Sequence, residues 1–535
     1  MSLAAPPGFR GIFRDDDAAR AVYSEAAGIG RQMPAAVAVP FGPDDVSALI
    51  RWARSDGRAI IPRGSGSSMG GGAIGDGIVL DLSRLRGVND PDASRRSIRA
   101  DVGVLRGEVD RRAASAGLRF PVDPSSGEFC TIGGMVATNA AGPHSLRHGS
   151  VRPWVLALEC VFDDGTVATV RRGEPPPDVP AVRRFMDDVH STLIGSPRRA
   201  HANVLKDSSG YRIGAYSQTQ ELIDVLVGSE GTLAVFTSVE VALIPALRGA
   251  ASLLVSFGDL DDAVQAAIAC RERGAAACEL LDRTFLTIAA TGGHPLPVSP
   301  AAEAVLLIEI EGNDGASGEL NALRETVQAK RALDIIASVT PRDALELWSF
   351  RHAASPALAR MDASLRSMQF IEDAAVPPHS LGDYVRGVRD VLQRYDTVGV
   401  IFGHAGDAHV HVNPLIDVHR ADWRRQVESI LVDVTDLVAR LDGTLTGEHG
   451  DGRLRTPLLD RVWDAEARDA FARIKRSFDP ANVFNPGVKV PLDGQRAIDA
   501  VKYDPAVASL PPASRAALEI VDRERAYSRF RLDLL

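Results

Sequence analysis

Aromatic side chains are scarce in this 535-residue sequence, where Phe, Trp and Tyr together make up 5%. A ligand site must then rely on backbone and charge more than on stacked rings. Cysteine is also sparse: Cys130, Cys160, Cys270 and Cys278 are well separated and contain no C-x-x-C pair. That excludes a disulfide framework, a zinc ribbon and an iron–sulfur cluster, and a reducing cytoplasm fits best. Nor is there an excess of positive charge. Sixty Lys+Arg stand against seventy Asp+Glu, a net −10, so no broad basic surface exists and nucleic acid is excluded as a partner. Long hydrophobic runs are missing too. No window reaches eighteen apolar residues, and Met1–Asp17 carries Pro6-Pro7 and three consecutive Asp where an export signal would be basic and then apolar. Neither a transmembrane segment nor export is expected. The expectation is a cytoplasmic protein, soluble or peripheral to the inner membrane.

What is present is length enough for two or more domains and an excess of glycine, 48 residues against a usual share of about 7%. Residues 36 to 60 read as a strand, a turn at Gly42-Pro43-Asp44-Asp45, and a helix Val46–Ser55 capped by Asp44 or Asp45. The apolar run Ala59-Ile60-Ile61 follows, then Pro62-Arg63-Gly64-Ser65-Gly66-Ser67-Ser68-Met69-Gly70-Gly71-Gly72, then the strand Gly77–Leu82. Six glycines between Gly64 and Gly75, inside a strand–loop–strand unit, mark a backbone that must approach something closely. Its N–H groups, serine hydroxyls and Arg63 suit a pyrophosphate. It matches neither the P-loop nor the G-x-G-x-x-G fingerprint, because G-K-[ST] is absent and Met69 stands at the last glycine position. Alone, it reads equally as an anion site or a flexible connection. Two further glycine-rich turns, Gly133 to Gly142 and Gly228 to Gly231, strengthen the case for a large ligand laid along one domain.

That first domain reads as strands alternating with small-residue loops, ending in a strand pair, Val225 to Ala242, bent around Gly228–Thr232. From Ser252 the pattern changes. Leu253–Phe257, a helix Asp261–Arg273, Val305–Ile310, a helix near Leu320–Lys330 and strands at Phe370 and Val398 predict a mixed or antiparallel sheet with helices on one face. The domain limits expected are 1–247, 248–445, 446–490 returning to the first domain, and a tail 491–535 whose one amphipathic helix spans about Ala513–Arg529.

The strongest chemical signal is Gly403-His404-Ala405-Gly406-Asp407-Ala408-His409-Val410-His411-Val412-Asn413. The strand Val398–Phe402 turns into another, and period 2 places His409, His411 and Asn413 on one face, with His404 across the turn. Imidazoles converging at a hairpin bring metal-ligand chemistry within reach, completed by a carboxylate from Thr446-Gly447-Glu448-His449-Gly450-Asp451-Gly452. Neither motif is H-E-x-x-H, which excludes a zincin protease.

With these motifs in this order, the chain resembles the D-2-hydroxy-acid dehydrogenase branch of the vanillyl-alcohol oxidase superfamily. The resemblance runs from about residue 36 to Pro491. It also rests on Pro124-Ser125-Ser126, Thr131–Ala140, Gly228–Leu233, Glu372–Pro378, Gly447–Arg455, Asp479-Pro480 and Asn485-Pro486-Gly487. It implies an α+β fold: a PCMH-type FAD-binding domain of two α+β subdomains and a ferredoxin-like cap with a large antiparallel sheet.

The resemblance implies FAD held by Pro62, Arg63, Gly64, Ser65, Gly66, Ser67 and Ser68, by Pro124, Ser125, Thr131, Gly133, Gly134, Ala137, Thr138, Asn139 and Gly142, and by Glu230 and Gly231, with Asn485 near the ring. Ser67 stands where some members attach the flavin through histidine, so non-covalent FAD is expected. A divalent metal is implied on His404, His411 and Glu448, zinc first, manganese or iron otherwise. His449 would be the base, Arg351 the carboxylate ligand, and Asn413 a substrate contact. The implied reaction is oxidation of a 2-hydroxy acid, with a quinone, cytochrome or iron–sulfur protein as acceptor and a homodimer compatible. Ala408-His409 departs from the branch's pattern, leaving His409 as an extra ligand, a substrate contact or a packed side chain. Arg366 or Arg360 would replace a missing basic residue, and His148 replaces an aromatic. Rival readings keep the flavin domain: an electron-transfer subunit of a glycolate-oxidase-like complex, or an alkylglycerone-phosphate-synthase-like enzyme.

Overall fold

The computed structural model describes residues 3–194, 201, 203–247, 249–291, 297–312, 317–338, 340–351 and 365–535. It is α+β, as expected. Near the N-terminus, strands Ile12–Arg14, Ala36–Val39, Ile78–Asp81 and Ile60–Arg63 lie side by side in that order, the last three parallel. A second four-stranded sheet, antiparallel throughout, runs Ser97–Asp101, Val235–Ala242, Val155–Val161, Val167–Arg171. These are the two α+β subdomains of the half expected to bind FAD, the flavin half, and one apolar core joins them.

Three local expectations are corrected here. The helix after Gly42 spans Pro43–Ser55 with Pro at its first turn, and no side chain caps it. Asp45 instead accepts from the backbone N–H groups of Arg10 and Phe41. The stretch after Thr131 is a helix, Ile132–Thr138, and not a loop: Thr131 Oγ1 accepts from Gly134 N, a side-chain N-cap. Residues Leu222–Leu226 are helical, so Val235–Ala242 has no strand partner across the Gly228–Thr232 turn.

The cap half contains an antiparallel seven-stranded sheet in the order Ala332–Ser338, Gly249–Phe257, Ala304–Gly312, Ala277–Asp282, Gly399–Gly403, His411–Asp417, Leu365–Ser367. The edge strand lies at Leu365–Ser367 and Phe370 follows it, outside the sheet. Helices cover both faces, not one. The run Val305-Leu306-Leu307-Ile308 buries every residue, which is the pattern of a strand packed on both sides. Leu306 and Ile308 face the helices Leu260–Glu272, Ser317–Ala329, Leu381–Arg394 and Trp423–Arg440. Val305 and Leu307 face Arg283–Thr291 and Pro341–Arg351. The last of these carries Arg351 inward.

The chain after the cap packs against the flavin half. Helix Ala465–Phe478 joins its core, Ile60 N donates to Val483 O, and Asn485 N donates to Ile60 O. The final helix spans Pro512–Glu524, stopping where Arg525 turns left-handed, earlier than periodicity suggested. Its Ala517 and Leu518 pack with Val37, Val39, Ile61 and Val79 on the outer face of the N-terminal sheet. No helix among the described residues is long and apolar enough to cross a membrane.

Candidate active site

A cavity of about 440 Å³ lies between the two halves, in the size range of cofactor sites. Its flavin-side wall is the glycine loop from Gly64 to Met69, with Pro124, Ser125, Thr131, Gly134, Ala137, Thr138 and Glu230; its cap-side wall includes Arg351, Phe402, His411, Asn413, Glu448 and His449. A side chain at Gly64 would collide with Thr131 Oγ1, and one at Gly72 would meet Glu230 Oε2 at 2.9 Å. Gly66 has φ +75°, open to glycine without strain. Ser68 Oγ, on the cavity wall, is buried with no hydrogen-bond partner among the described residues. A bare, hydroxyl-lined backbone of this kind fits a dinucleotide.

At the cap end three imidazoles converge on one oxygen. Glu448 Oε1 lies 3.4 Å from His404 Nε2, 3.6 Å from His411 Nε2 and 3.7 Å from His449 Nε2. The far nitrogens of the first two are fixed: His404 Nδ1 faces Glu279 Oε1 at 2.5 Å, and His411 Nδ1 donates to the Glu372 carbonyl at 2.9 Å. Both Nε2 atoms are thereby left to face Glu448, the arrangement seen around metal-ligating histidines. Potential ligand atoms of Asp373, His411, Glu448 and His449, and those of His404, His409 and Glu448, fall within 4.8 Å of one another. Glu448 is common to both groups. Two imidazoles and a carboxylate suit a divalent transition metal.

The charges around this cluster are balanced. Burial alone would raise the Glu448 carboxylate's pKa, but Lys206, whose Nζ lies 3.3 Å from Oε2, and His404 hold it well below the usual range. Glu279, on the fully buried strand Ala277–Asp282, bonds Arg351 Nε at 2.6 Å as well as His404, and both cations depress its pKa against the effect of burial. The His449 ring stacks on His411 at 5.3 Å, and its Nδ1 faces Glu372 at 3.2 Å and Asp373 at 3.4 Å. Burial would lower its pKa; Asp373 and Glu372 overcome that and raise it to about 9.

Most of the flavin residues inferred from sequence meet at this cavity. Pro62, Arg63, Gly133 and Gly231 instead line a small adjoining apolar space with Phe236 and Ala234. Arg63 is turned away from any ligand: its guanidinium donates to the carbonyls of Tyr23, Glu25 and Ala73. Asn139, Gly142 and Asn485 line neither space. Asn139 Oδ1 accepts from Arg152 N, and the Gly142 carbonyl accepts from Ser145. Asn485 Nδ2 donates to the carbonyls of Gly72 and Glu230 while Oδ1 accepts from Arg453. These residues shape the glycine turns from behind. His409 is buried with Nε2 on Asp373 at 2.9 Å, away from the cavity wall. Arg366 lies over Tyr503, outside the cavity, and Arg360 lies outside the described residues. His148 pairs with Glu311 of the cap at 2.9 Å. Sequence reasoning missed Lys206 and Glu279, and gave Glu372 and Asp373, part of the Glu372–Pro378 motif, no role; the visible sign for Glu279 was a carboxylate interrupting an apolar run, Ala276-Ala277-Cys278-Glu279-Leu280-Leu281.

Residues 34–171 match the family described as FAD binding domain, and residues 247–488 match FAD linked oxidases, C-terminal domain. The chain is 30% identical over 495 residues to glycolate oxidase subunit GlcD of Bacillus subtilis, covering 91% of this chain and 96% of that one. It is 29% identical over 456 residues to a D-lactate dehydrogenase of Archaeoglobus fulgidus, covering 84% and 90%. It is 27% identical to a D-2-hydroxyglutarate dehydrogenase of Pseudomonas putida, of which it spans 52%. The fold resembles 4-ethylphenol oxidase from Gulosibacter chungangensis, with TM-score 0.66, 14% identity and coverage of 90% and 95%. It also resembles alkyldihydroxyacetonephosphate synthase, with TM-score 0.62, 16% identity and coverage of 89% and 83%. Two cofactor-sized walls of matched sequence meeting at one cavity agree with these similarities: the chain belongs to the FAD-linked oxidoreductases of the vanillyl-alcohol oxidase superfamily, in the branch of glycolate oxidase flavin subunits and D-lactate dehydrogenases.

Proposed function

We propose that the protein oxidises a D-2-hydroxy acid to the 2-oxo acid, with non-covalent FAD as the immediate oxidant. The observation that carries this reading is that Arg351, Asn413, His411, Glu448 and His449 share one cavity with the glycine loop. FAD supplies a hydride acceptor, and a divalent cation held by His404, His411 and Glu448 supplies acidity to the substrate's hydroxyl.

The protein's own groups bind and orient the acid. Arg351 Nε is committed to Glu279 and its plane rests 4.7 Å over Phe402, so the guanidinium is held at a fixed angle for a planar carboxylate. Asn413, buried on the strand His411–Asp417, offers an amide to the same end of the substrate. His449 Nε2 receives the hydroxyl proton, while Glu372 and Asp373 at Nδ1 stabilise the imidazolium formed. A cation held by His404, His411 and Glu448 would oppose positive charge on the neighbouring imidazole and so favour the basic form of His449. Ser67 at the covalent-attachment position supports a dissociable flavin. The relatives named as glycolate oxidase subunits support a place in a larger assembly, with electrons leaving to a quinone, a cytochrome or an iron–sulfur protein.

The test is anaerobic titration of the purified protein with a panel of D-2-hydroxy acids. Bleaching of the flavin by one of them is the expected result, and His449→Ala should carry FAD yet fail to bleach. Bleaching by none of the acids, with the flavin still reducible by a partner protein, would replace this reading with that of an electron-transfer subunit.

A further inference from the structure

The C-terminal segment has no counterpart in the residues matched to either family, which end at 488. It nonetheless reaches the cavity. Asp522, Arg525 and Tyr527 are part of the wall, beside the glycine loop and Phe129. The Tyr527 ring lies 5.4 Å from that of Phe129, and the Arg525 guanidinium lies 5.0 Å over the same ring. Tyr527 Oη donates to Asp522 at 3.1 Å. Beyond them, buried Arg531 donates to the carbonyl of Ser65 in the glycine loop, and Phe530 joins the core on the outer face of the N-terminal sheet. The segment is therefore anchored on both sides of the point where it touches the cavity.

Charge decides what this contact is for. A flavin dinucleotide brings two negative charges on its pyrophosphate, and Arg63 of the glycine loop cannot meet them, because its guanidinium is spent on three carbonyls behind the loop. Among the described residues lining the cavity only two carry a permanent positive charge, Arg351 and Arg525. Arg351 is bound to Glu279 at the cap end. Arg525 has no ion-pair partner among the described residues and lies over Phe129 of the flavin half, while Asp522, the carboxylate of the same segment on the wall, is engaged by Tyr527 Oη and faces Lys502.

We propose that the C-terminal segment is part of the cofactor site: Arg525 is the counter-charge of the FAD pyrophosphate, and Tyr527 with Phe129 forms the adjacent wall. This rests on the family's flavin and not on the choice of substrate. The test is FAD retention, read as flavin fluorescence released when the holoenzyme is diluted. Arg525→Ala should weaken FAD binding at least tenfold, Arg525→Lys should recover most of it, and added salt should weaken the wild type more than Arg525→Ala. Arg523→Ala, two residues away and off the wall, should stay within twofold. Unfolding of each variant by circular dichroism separates lost affinity from lost structure. Arg525→Ala that folds and retains FAD within twofold of wild type overturns the proposal. A wild-type protein that never carries flavin would instead remove the family reading beneath it.

Discussion

Arg351 and His404 are held by one carboxylate. Glu279 Oε1 sits 2.5 Å from His404 Nδ1, and Oε2 sits 2.6 Å from Arg351 Nε, so the groups expected to hold the cation and the substrate share a single support on a buried strand. Glu279→Gln keeps the volume but can accept through only one atom, and one of the two partners must turn. The expected outcome is a loss of about 10–100-fold in kcat/KM, the range for partners of metal ligands, together with lower metal content. Glu279→Ala strands a buried cation and should cost about 3–5 kcal/mol of stability in urea unfolding. Unchanged kinetics and metal content in Glu279→Gln would remove this role.

Metal dependence is checked directly by dialysis against a chelator. The flavin spectrum should persist, because the glycine-loop residues on one wall of the cavity are separate from His411 and Glu448 on the other, with His404 behind them. Bleaching by substrate should slow by orders of magnitude and return on adding zinc or manganese. Full activity after exhaustive chelation would count against the cluster as a metal site.

The two halves are clasped by groups that titrate in opposite directions. His144 lies between Asp123 at 2.6 Å and Glu309 at 2.9 Å; burial would lower its pKa, but these carboxylates raise it well above 6.5. Its contribution is complete below about pH 6.5 and is lost as pH rises through the folded-state value. Glu311 is the reverse. Burial would raise it, but His148 and Arg119 bring it down to about 2, so its contribution is present above pH 4.5 and is lost as pH falls toward 2. Melting temperature against pH should therefore flatten on the alkaline side in His144→Gln and on the acid side in Glu311→Gln. Parallel curves for wild type and variants would contradict both assignments.

Gly64→Ala places a methyl group against Thr131 Oγ1, the atom that caps the helix Ile132–Thr138. Losing the cap and crowding the loop should cost about 1–3 kcal/mol and weaken FAD about tenfold or more, measured by flavin fluorescence. Retained affinity would mean that the loop can move away from Thr131.

Arg63→Lys separates support from ligand contact. The carbonyls of Tyr23 and Ala73 are met by Nη1 and that of Glu25 by Nη2, a spread that the single nitrogen of a lysine does not reproduce, so stability should fall by about 2–3 kcal/mol. Below the unfolding transition, FAD affinity should stay within about threefold of wild type; a selective loss of FAD without loss of stability would return Arg63 to the cofactor.

The sheets were legible where burial is one-dimensional. Continuous runs such as Val305–Ile310 read as strands because they are too short for a buried helix and carry β-branched residues, and the glycine loop and clustered histidines stand out because neither composition recurs elsewhere in the sequence. The helix at Ile132–Thr138 was hidden because Thr-Ile-Gly-Gly-Met has poor helix propensity. Gly133 is there because Val102 leaves no room for a side chain, a reason that exists only in three dimensions. Glu279 was hidden likewise: pairing of Leu280 with Gly403 brings it to His404, 125 positions away. The outward turn of Arg63 could not be read either, since the carbonyls that capture it lie at residues 23, 25 and 73.

Asn485 also sets the order in which this protein can be made. Its side chain ties Gly72 to Glu230, 413 and 255 positions away, and the adjoining Phe484 bridges Ile60. The glycine turns are not fastened until residue 485 has left the ribosome. Flavin uptake is thus expected to wait for residue 485, and a fragment ending before it should emerge colourless however much riboflavin the cell supplies.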